Sequence, residues 1–472
     1  MKTLRTWMAV AFGALWIPAA SAQTPSVDWE KTKAETLRHY RELVQIDTSA
    51  NNEGPVVEYL RKVLDAEGVP TKIFASNPAR PNLVARLKGS GAKRPVLLMA
   101  HTDTVGIQRQ KWPVDPFGAV MQDGYIWGRG TTDDKDKLTA AMMVMILLKR
   151  ANTRLDRDVI FLAEAGEETT SLGIDFMVKE HFDEIDAEFA LNEGGRTRIE
   201  NGKVTAVQIA TAEKVPFWIR LVANGTSGHG SIPRVDNPVV HISTAVGKLG
   251  MWQTPMRLND TTREYFERLA AISTPEKRAR YNGLTDAARS AEIQRYLAEN
   301  EPDHYSMLRT SVTPTVIKAG FQTNVIPSEA EASIDIRVLP DEDLAKFYED
   351  IQRVIGDPAI RIERISTGSR KPTPPSTLDS EMFRAFETVG KRIYTGSVTM
   401  PTMLTAATDC AQLRAKGVQC YGIDPPTTDE NRINYGWHSD VERLSEPTLY
   451  QFFEYVWNVV NEVAAAKPAA TR

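Results

Sequence analysis

Five short stretches of this sequence gather side chains that bind cations and move protons. They are His101-Thr-Asp103, Gly128-Arg-Gly-Thr-Thr-Asp133-Asp-Lys135, Gly166-Glu167-Glu168, Asn192-Glu193-Gly-Gly and Tyr435-Gly-Trp-His438-Ser-Asp-Val-Glu442. Imidazole and carboxylate suit divalent transition metals, and a carboxylate next to such ligands can serve as a general base. The chain has seven histidines (His39, His101, His181, His229, His241, His304 and His438) and two cysteines, Cys410 and Cys420. Two cysteines exclude a disulfide scaffold, an iron–sulfur cluster and an all-cysteine zinc site, so a metal must sit on histidine and carboxylate. Those two cysteines can pair in an oxidising compartment or stay as buried free thiols.

The elements that position these residues are legible from periodicity. Apolar runs at 96–100, 159–163 and 189–191 read as strands, and each leads directly into one of the motifs. In open α/β sheets the carboxyl ends of strands form the ligand crevice, so side chains distant in sequence converge there. Asp133 precedes an apolar helix at 137–149, whose positive end keeps a carboxylate ionised, although helix capping would also place an Asp there. With helices at 28–44 and 54–67 and a strand at 83–87, the expected fold is α/β: a mostly parallel sheet with helices on both faces.

The pattern changes near residue 211. A strand at 215–223, a helix at 237–249, strands at 311–317 and 330–338, a helix at 341–355 and a strand at 359–365 give β-α-β-β-α-β, a separate α+β unit. Charged helical sequence at about 251–308 interrupts it as an insertion. After a Pro, Ser and Thr-rich stretch at 367–377 the α/β pattern resumes, with helices at 381–393, 411–416 and 447–464 and a strand at 419–423. The expected organisation is a discontinuous catalytic domain, 23–211 and 367–472, with an inserted domain at 212–366. No internal repeat is visible.

Residues 1–22 have a different character. Lys2 and Arg5 precede an uncharged, largely apolar run at 7–17, and Ala20-Ser21-Ala22 supplies small residues for cleavage. This is the pattern of a secretory signal peptide cleaved after Ala22, which predicts a periplasmic or secreted protein with no membrane span. The formal charge of −4, from 57 basic and 61 acidic residues without a basic stripe, argues against nucleic acid as a partner.

Taken in order, HxD, GRG-x-x-D, GEE, NEGG and a late histidine before a C-terminal helix, the motifs resemble the M20 family of metallopeptidases and amidohydrolases. The likeness is to its carboxypeptidase S and aminoacylase branch. It implies two metal ions per subunit, zinc with cobalt or manganese as substitutes. His101 and Glu193 would hold one, His438 and Glu168 the other, and Asp133 would bridge them. Asp134 stands where the family has an apolar residue, so the bridge falls on Asp133 or on its neighbour. Asp103 would orient His101, and Glu167 would be the general base.

The resemblance also makes the inserted domain a lid, with a homodimer formed through it. His229, in Gly225-Thr-Ser-Gly-His229-Gly-Ser-Ile-Pro233, would stabilise the oxyanion, and Asn324 and Arg337 would hold the substrate carboxylate, with an ordinary surface salt bridge as the alternative for Arg337. His39, His181, His241 and His304 lack carboxylates at ligand spacing and are expected to carry no catalysis. The implied activity is that of an exported zinc carboxypeptidase, which cleaves an amide next to a free carboxylate through a hydroxide held between two metals. The alternatives are an N-acyl-amino-acid hydrolase (aminoacylase) or dipeptidase acting on small peptides or N-acyl amino acids. A non-catalytic peptide-binding protein is the reading from another class, and Glu167 speaks against it.

Overall fold

The computed structural model describes residues 27–365 and 368–467; the signal peptide expected at 1–22 lies outside them. A ten-stranded sheet forms the larger part. At its centre Val159–Glu164, Val96–His101, Phe189–Asn192 and Gln419–Gly422 run parallel, side by side. These strands are buried along their length, as a sheet covered on both faces requires. Alternate residues divide between two cores. Leu98 and Ala100 face helices Trp29–Val44, Lys135–Arg150, Glu381–Ile393 and Glu446–Ala464, while Leu97 and Met99 face Leu172–Glu180 and Cys410–Ala415. Lys135–Arg150 is enclosed almost all round, from Lys135 to Leu148, which explains its apolar composition. The strands beside this centre are antiparallel to their neighbours: Asn82–Leu87 pairs with Val159–Glu164 on one side, and the hairpin Arg196–Glu200/Lys203–Glu213 lies on the other. A disulfide joins Cys410 to Cys420, both fully buried.

A second, five-stranded antiparallel sheet is built from Val215–Pro216, Ile219–Asn224, Ser311–Ala319, Glu329–Val338 and Ile360–Arg364. Phe217 and Trp218 interrupt what the sequence suggests is one strand at 215–223. Helices Pro238–Met251 and Leu344–Ile355 pack on it through Ile242, Leu249, Phe347 and Ile351. Asp343 caps the second of these helices by accepting from the Ala345 and Lys346 amides, and Gly356 at φ 56° ends it in the left-handed conformation.

The charged stretch after Met251 forms four helices, Asp260–Ile272, Pro275–Asn282, Ser290–Asn300 and Pro302–Met307. They pack mainly on the large sheet rather than on the five-stranded one: Tyr265, Phe266 and Met307 lie with Ala206, Ala212, Met400 and Met403. Their support includes the strand Val398–Leu404, which the sequence reading missed because Pro401 sits within it. Among the described residues the strand pairs along one side, with Lys203–Glu213, and a proline is tolerated at such an edge.

Candidate dinuclear metal centre

His101 closes the central strand Val96–His101, and Asp133 lies just before the Lys135–Arg150 helix. The two carboxylate oxygens of Asp133 face two imidazoles: Oδ1 is 2.9 Å from His101 Nε2 and Oδ2 is 3.2 Å from His438 Nε2. His438 Nε2 is also 3.2 Å from Glu168. The donor atoms fall into two groups, each within 4.8 Å: His101, Asp133, Asp134 and Glu193, and Asp133, Glu168 and His438. Asp133 belongs to both. Asp134 accepts from the His101 amide at 3.2 Å and pairs with Lys137 Nζ at 2.9 Å, so it does not reach the second histidine.

The electrostatics fit a pair of dications. Burial pushes the Glu193 carboxyl well above its ordinary range, and the neighbouring Asp133 and Asp134 push it further. Burial and Asp133 likewise raise Glu168. Burial opposes ionisation of Asp133 too, but the two histidines outweigh it and hold its carboxyl well below the usual value. Asp133 and Glu168 in turn push His438 up to about 10. Carboxylates crowded in this way repel one another until cations neutralise them, and nitrogen and oxygen donors of these types suit zinc-like ions.

Glu167 does not point the way Glu168 does. Its Oε1 accepts from Arg370 Nη2 at 2.6 Å, and Arg370 also bonds Asp409 at 2.8 Å. Burial lifts the Glu167 carboxyl well above the usual range against the opposing charge of Arg370, the direction a group that trades protons near neutrality requires. The Gly166-Glu167-Glu168 segment is a turn rather than extended chain, and Asp103 sets it. The Asp103 carboxylate accepts from the amides of Gly166 (3.0 Å), Glu167 (3.2 Å) and Glu168 (3.2 Å). Gly166 turns there at φ 83°, with the Arg80 guanidinium 3.0 Å from where a Cβ would lie. Because the carboxylate is occupied in this way, His101 Nδ1 is nearer the Asp103 carbonyl (3.0 Å) than its Oδ1 (3.4 Å). The main chain of Asp103 thus shares in orienting the ring, a contact that leaves Nε2 toward Asp133.

Sequence reasoning missed Glu442. It is fully buried and gathers the loop ahead of Asp133, accepting from Arg129 Nη1 (2.6 Å), Thr132 N (2.8 Å), Thr132 Oγ1 (3.0 Å) and Gly130 N (3.2 Å). Arg129 also reaches the His438 carbonyl at 3.4 Å. The two loops that carry Asp133 and His438 are therefore braced through one carboxylate. Its signal was present in the sequence as an acid four residues after His438 and an arginine inside Gly-Arg-Gly.

The lid residues stand apart. His229 lies on a two-residue ribbon, Gly228–His229 paired with Val325–Ile326, and Asn324 precedes the partner strand. Both are exposed. His229 Nδ1 accepts from the Ser231 amide at 3.1 Å and is 2.7 Å from its hydroxyl, and Asn324 accepts from Gln322 at 2.9 Å. Arg337 forks onto Asp335 at 2.8 and 3.3 Å and lies over Trp218. Among the described residues none of the three touches the metal donors.

A model of peptidase family M20/M25/M40 matches residues 97–462. The chain is 28% identical over 391 residues to "Probable carboxypeptidase S-like 2" of Dictyostelium discoideum, covering 81% of this chain and 74% of that one. It is 29% identical over 301 residues to the human N-fatty-acyl-amino acid synthase/hydrolase PM20D1, covering 60% and 57%. Among solved structures, the M20 family metallo-carboxypeptidase Sso-CP2 of Sulfolobus solfataricus shares the fold with a TM-score of 0.69 at 18% identity, over 91% of this chain and 99% of that one. With a family match extending over most of its length and two candidate cation-binding groups that share Asp133, the chain belongs to peptidase family M20/M25/M40 and is a hydrolase.

Proposed function

We propose that this protein is an exported zinc-dependent carboxypeptidase that hydrolyses an amide bond beside a free carboxylate. The observation that carries the reading is Asp133 set between His101 and His438, with Glu167 turned away from that pair onto Arg370. His101 and Glu193 would hold one cation, His438 and Glu168 the other, with Asp133 between them. Bound zinc ions supply Lewis-acid polarisation of the carbonyl and activation of water. Glu167 takes the proton of the attacking water at its carboxylate and hands it to the leaving amine, while Arg370 fixes its rotamer. Asp103 and Glu442 keep the two loops in register. His229 would meet the developing oxyanion, and Asn324 and Arg337 the substrate carboxylate, once the lid ribbon reaches the centre.

The human relative's name favours a second reading on the same site, hydrolysis of N-acyl amino acids. Export to the periplasm or beyond is supported by the basic and apolar start of the sequence and by the Cys410–Cys420 disulfide, which persists in oxidising compartments. A homodimer through the lid is supported by apolar side chains left exposed on it, among them Val240, Met251, Ile317 and Phe321.

Purified protein should contain about two zinc ions per chain and lose turnover on chelation, regaining it with zinc. A panel of blocked dipeptides, free dipeptides and N-acyl amino acids then separates the readings, and each substrate should lose activity when its carboxylate is amidated. Activity indifferent to chelators, with no metal bound, would overturn the mechanism.

A further inference from the structure

Two cavities, of about 170 and 60 Å³, meet beside the metal centre and share Gly195, Arg196, Arg432 and Trp437. The larger is also lined by Thr132, the residue before Asp133, and Trp437 precedes His438. The smaller is also lined by Gly194, which follows Glu193, and is walled on its far side by Tyr265 and His304 of the helical insertion. Neither cavity belongs to the metal-binding set, yet both abut it along the chain. A space of the larger one's size admits a benzene-sized group.

The polar groups here are unevenly matched. Arg196 and Arg198 share one carboxylate, Asp429. The Arg432 guanidinium makes no hydrogen bond to protein among the described residues. Its nearest carboxylate, Asp303, is 3.6 Å away with a side chain 68% exposed, too loose and too wet to occupy the fork. Arg432 stacks over Trp437 at 5.5 Å, which holds the guanidinium plane without using its donors. Burial, and then the facing charge of Arg432, weaken the hold of Arg196 on its proton, the mark of two cations kept close without enough anion between them. Asp424 also lines the larger cavity, but it is paired to Lys137 at 3.1 Å.

We propose that Arg432 and Arg196 form an anion subsite that takes a carboxylate of the substrate, in the catalytic half and distinct from the lid residues Asn324 and Arg337. Two parts of a substrate can supply that group: the far end of a dicarboxylic acyl chain, or the amino acid released by cleavage. A planar guanidinium with free donors pairs with either by two parallel hydrogen bonds. The larger cavity has Ile199 and Leu444 in its walls, which accommodate the methylenes leading to such a group. The subsite rests on the amidohydrolase reading for its place in turnover, but not for its ability to bind.

The zinc-loaded protein is assayed on an N-glutaryl amino acid and on the same compound with the glutaryl terminus as a carboxamide. A second pair differs only in amidation of the amino acid's own carboxylate. In the wild type, kcat/KM should favour the free acid in at least one pair, and in Arg432→Gln that preference should fall about ten- to hundredfold, mainly through KM. A fall in the first pair assigns the acyl end, and a fall in the second assigns the released amino acid. Arg432→Lys, which keeps the charge and loses the fork, should fall between them. If neither preference moves in a variant whose circular dichroism matches wild type, the proposal is overturned. Calorimetry with glutarate on the chelated protein should show binding that Arg432→Gln removes; no binding to the wild type overturns it as well. An enzyme that binds glutarate but cleaves none of the four amides would refute the proposed function and leave the subsite standing.

Discussion

The candidate metal centre and the ribbon that carries His229 hold the same kinds of side chain under opposite conditions. Asp133, Asp103 and Glu442 are buried and held by two or more partners each, on loops fixed to strand ends and a helix start. His229 and Asn324 are exposed, on a ribbon of two residue pairs, and each side chain is held by a single neighbouring residue. Cation donors repel one another before the cations bind, so the scaffold must hold them in place. In the role proposed for them, His229 and Asn324 would meet only the substrate or the developing oxyanion, so they would need no such frame and could arrive by closure of the inserted domain or from a second copy.

The sharpest way to break that comparison is to alter one residue on each side and read metal content and turnover together. Glu167→Gln keeps the shape and the Arg370 contact but removes the base. It should retain two zinc ions by elemental analysis and lose at least about a hundredfold in kcat. Near-normal kcat would place the base elsewhere. His229→Ala should also retain both metals, with an unchanged unfolding temperature because the ring is exposed, and lose about ten- to hundredfold in kcat. Mixing the two inactive variants sharpens the contrast further. Recovered turnover after subunit exchange means that His229 acts across a dimer, whereas none means that it acts within its own chain.

Glu442→Gln tests whether the brace between the loops is what separates the two regions. It touches no predicted substrate group, but it weakens the bonds to Arg129 and to the Gly130 and Thr132 amides. Affinity for the more weakly held zinc should fall about tenfold in a chelator competition, with kcat recovering at saturating zinc. Loss of kcat that excess zinc does not restore would assign Glu442 a part in the chemistry.

The residues expected to hold metal are brought together in two donor groups; His101, Asp133, Glu168 and Glu193 follow a strand or precede a helix, the kind of local signal a sequence carries, whereas His438 sits in a turn between a helix and a strand and was picked out only by its company. Local signal also made the β-α-β-β-α-β order of the lid legible: Glu329–Val338 alternates along its whole length. Much of what was not legible depends on contacts made over long separations. The use of Asp103 as an acceptor for three amides, 63 to 65 residues on, has no local trace. Neither does the pairing of His241 with Asp357 at 2.6 Å; with His304 on Glu301 and His39 near Glu35 and Glu42, it gives three of the four histidines set aside a carboxylate neighbour after all. Each of these is a pair or a helical neighbour, and none belongs to a metal-binding group among the described residues. The hold of Asp335 on Arg337 is the ordinary salt bridge that the sequence left open as an alternative, since the two are separated by one residue on the same strand face.

The smallest effect expected concerns the junction where the two regions join. Lys214 follows the strand Lys203–Glu213 directly and is fully buried, its ammonium nitrogen 2.9 Å from Ser306 of the insertion and 3.0 Å from Ser311 of the lid sheet. No carboxylate bonds it among the described residues. Burial, reinforced by the charges of Arg337 and Arg309, pulls its pKa down to about 7, against about 10.4 in an unfolded chain. Between those values the unfolded chain carries a proton that the folded one has released, so this group makes stability rise with pH from about 7 to about 10. Below pH 7 both states hold the proton, and the folded one bears the cost of a buried charge. Lys214→Met removes that cost and two hydrogen bonds together, so the net gain should be about 1–3 kcal/mol at pH 6 and should vanish or reverse by pH 9. Denaturant unfolding of both proteins at the two pH values measures the difference. Lys135, also depressed to about 7, contributes equally to both chains and cancels. An equal effect of the substitution at pH 6 and 9 would mean that Lys214 keeps its charge, and that the junction between catalytic sheet and lid is wetter than its packing indicates.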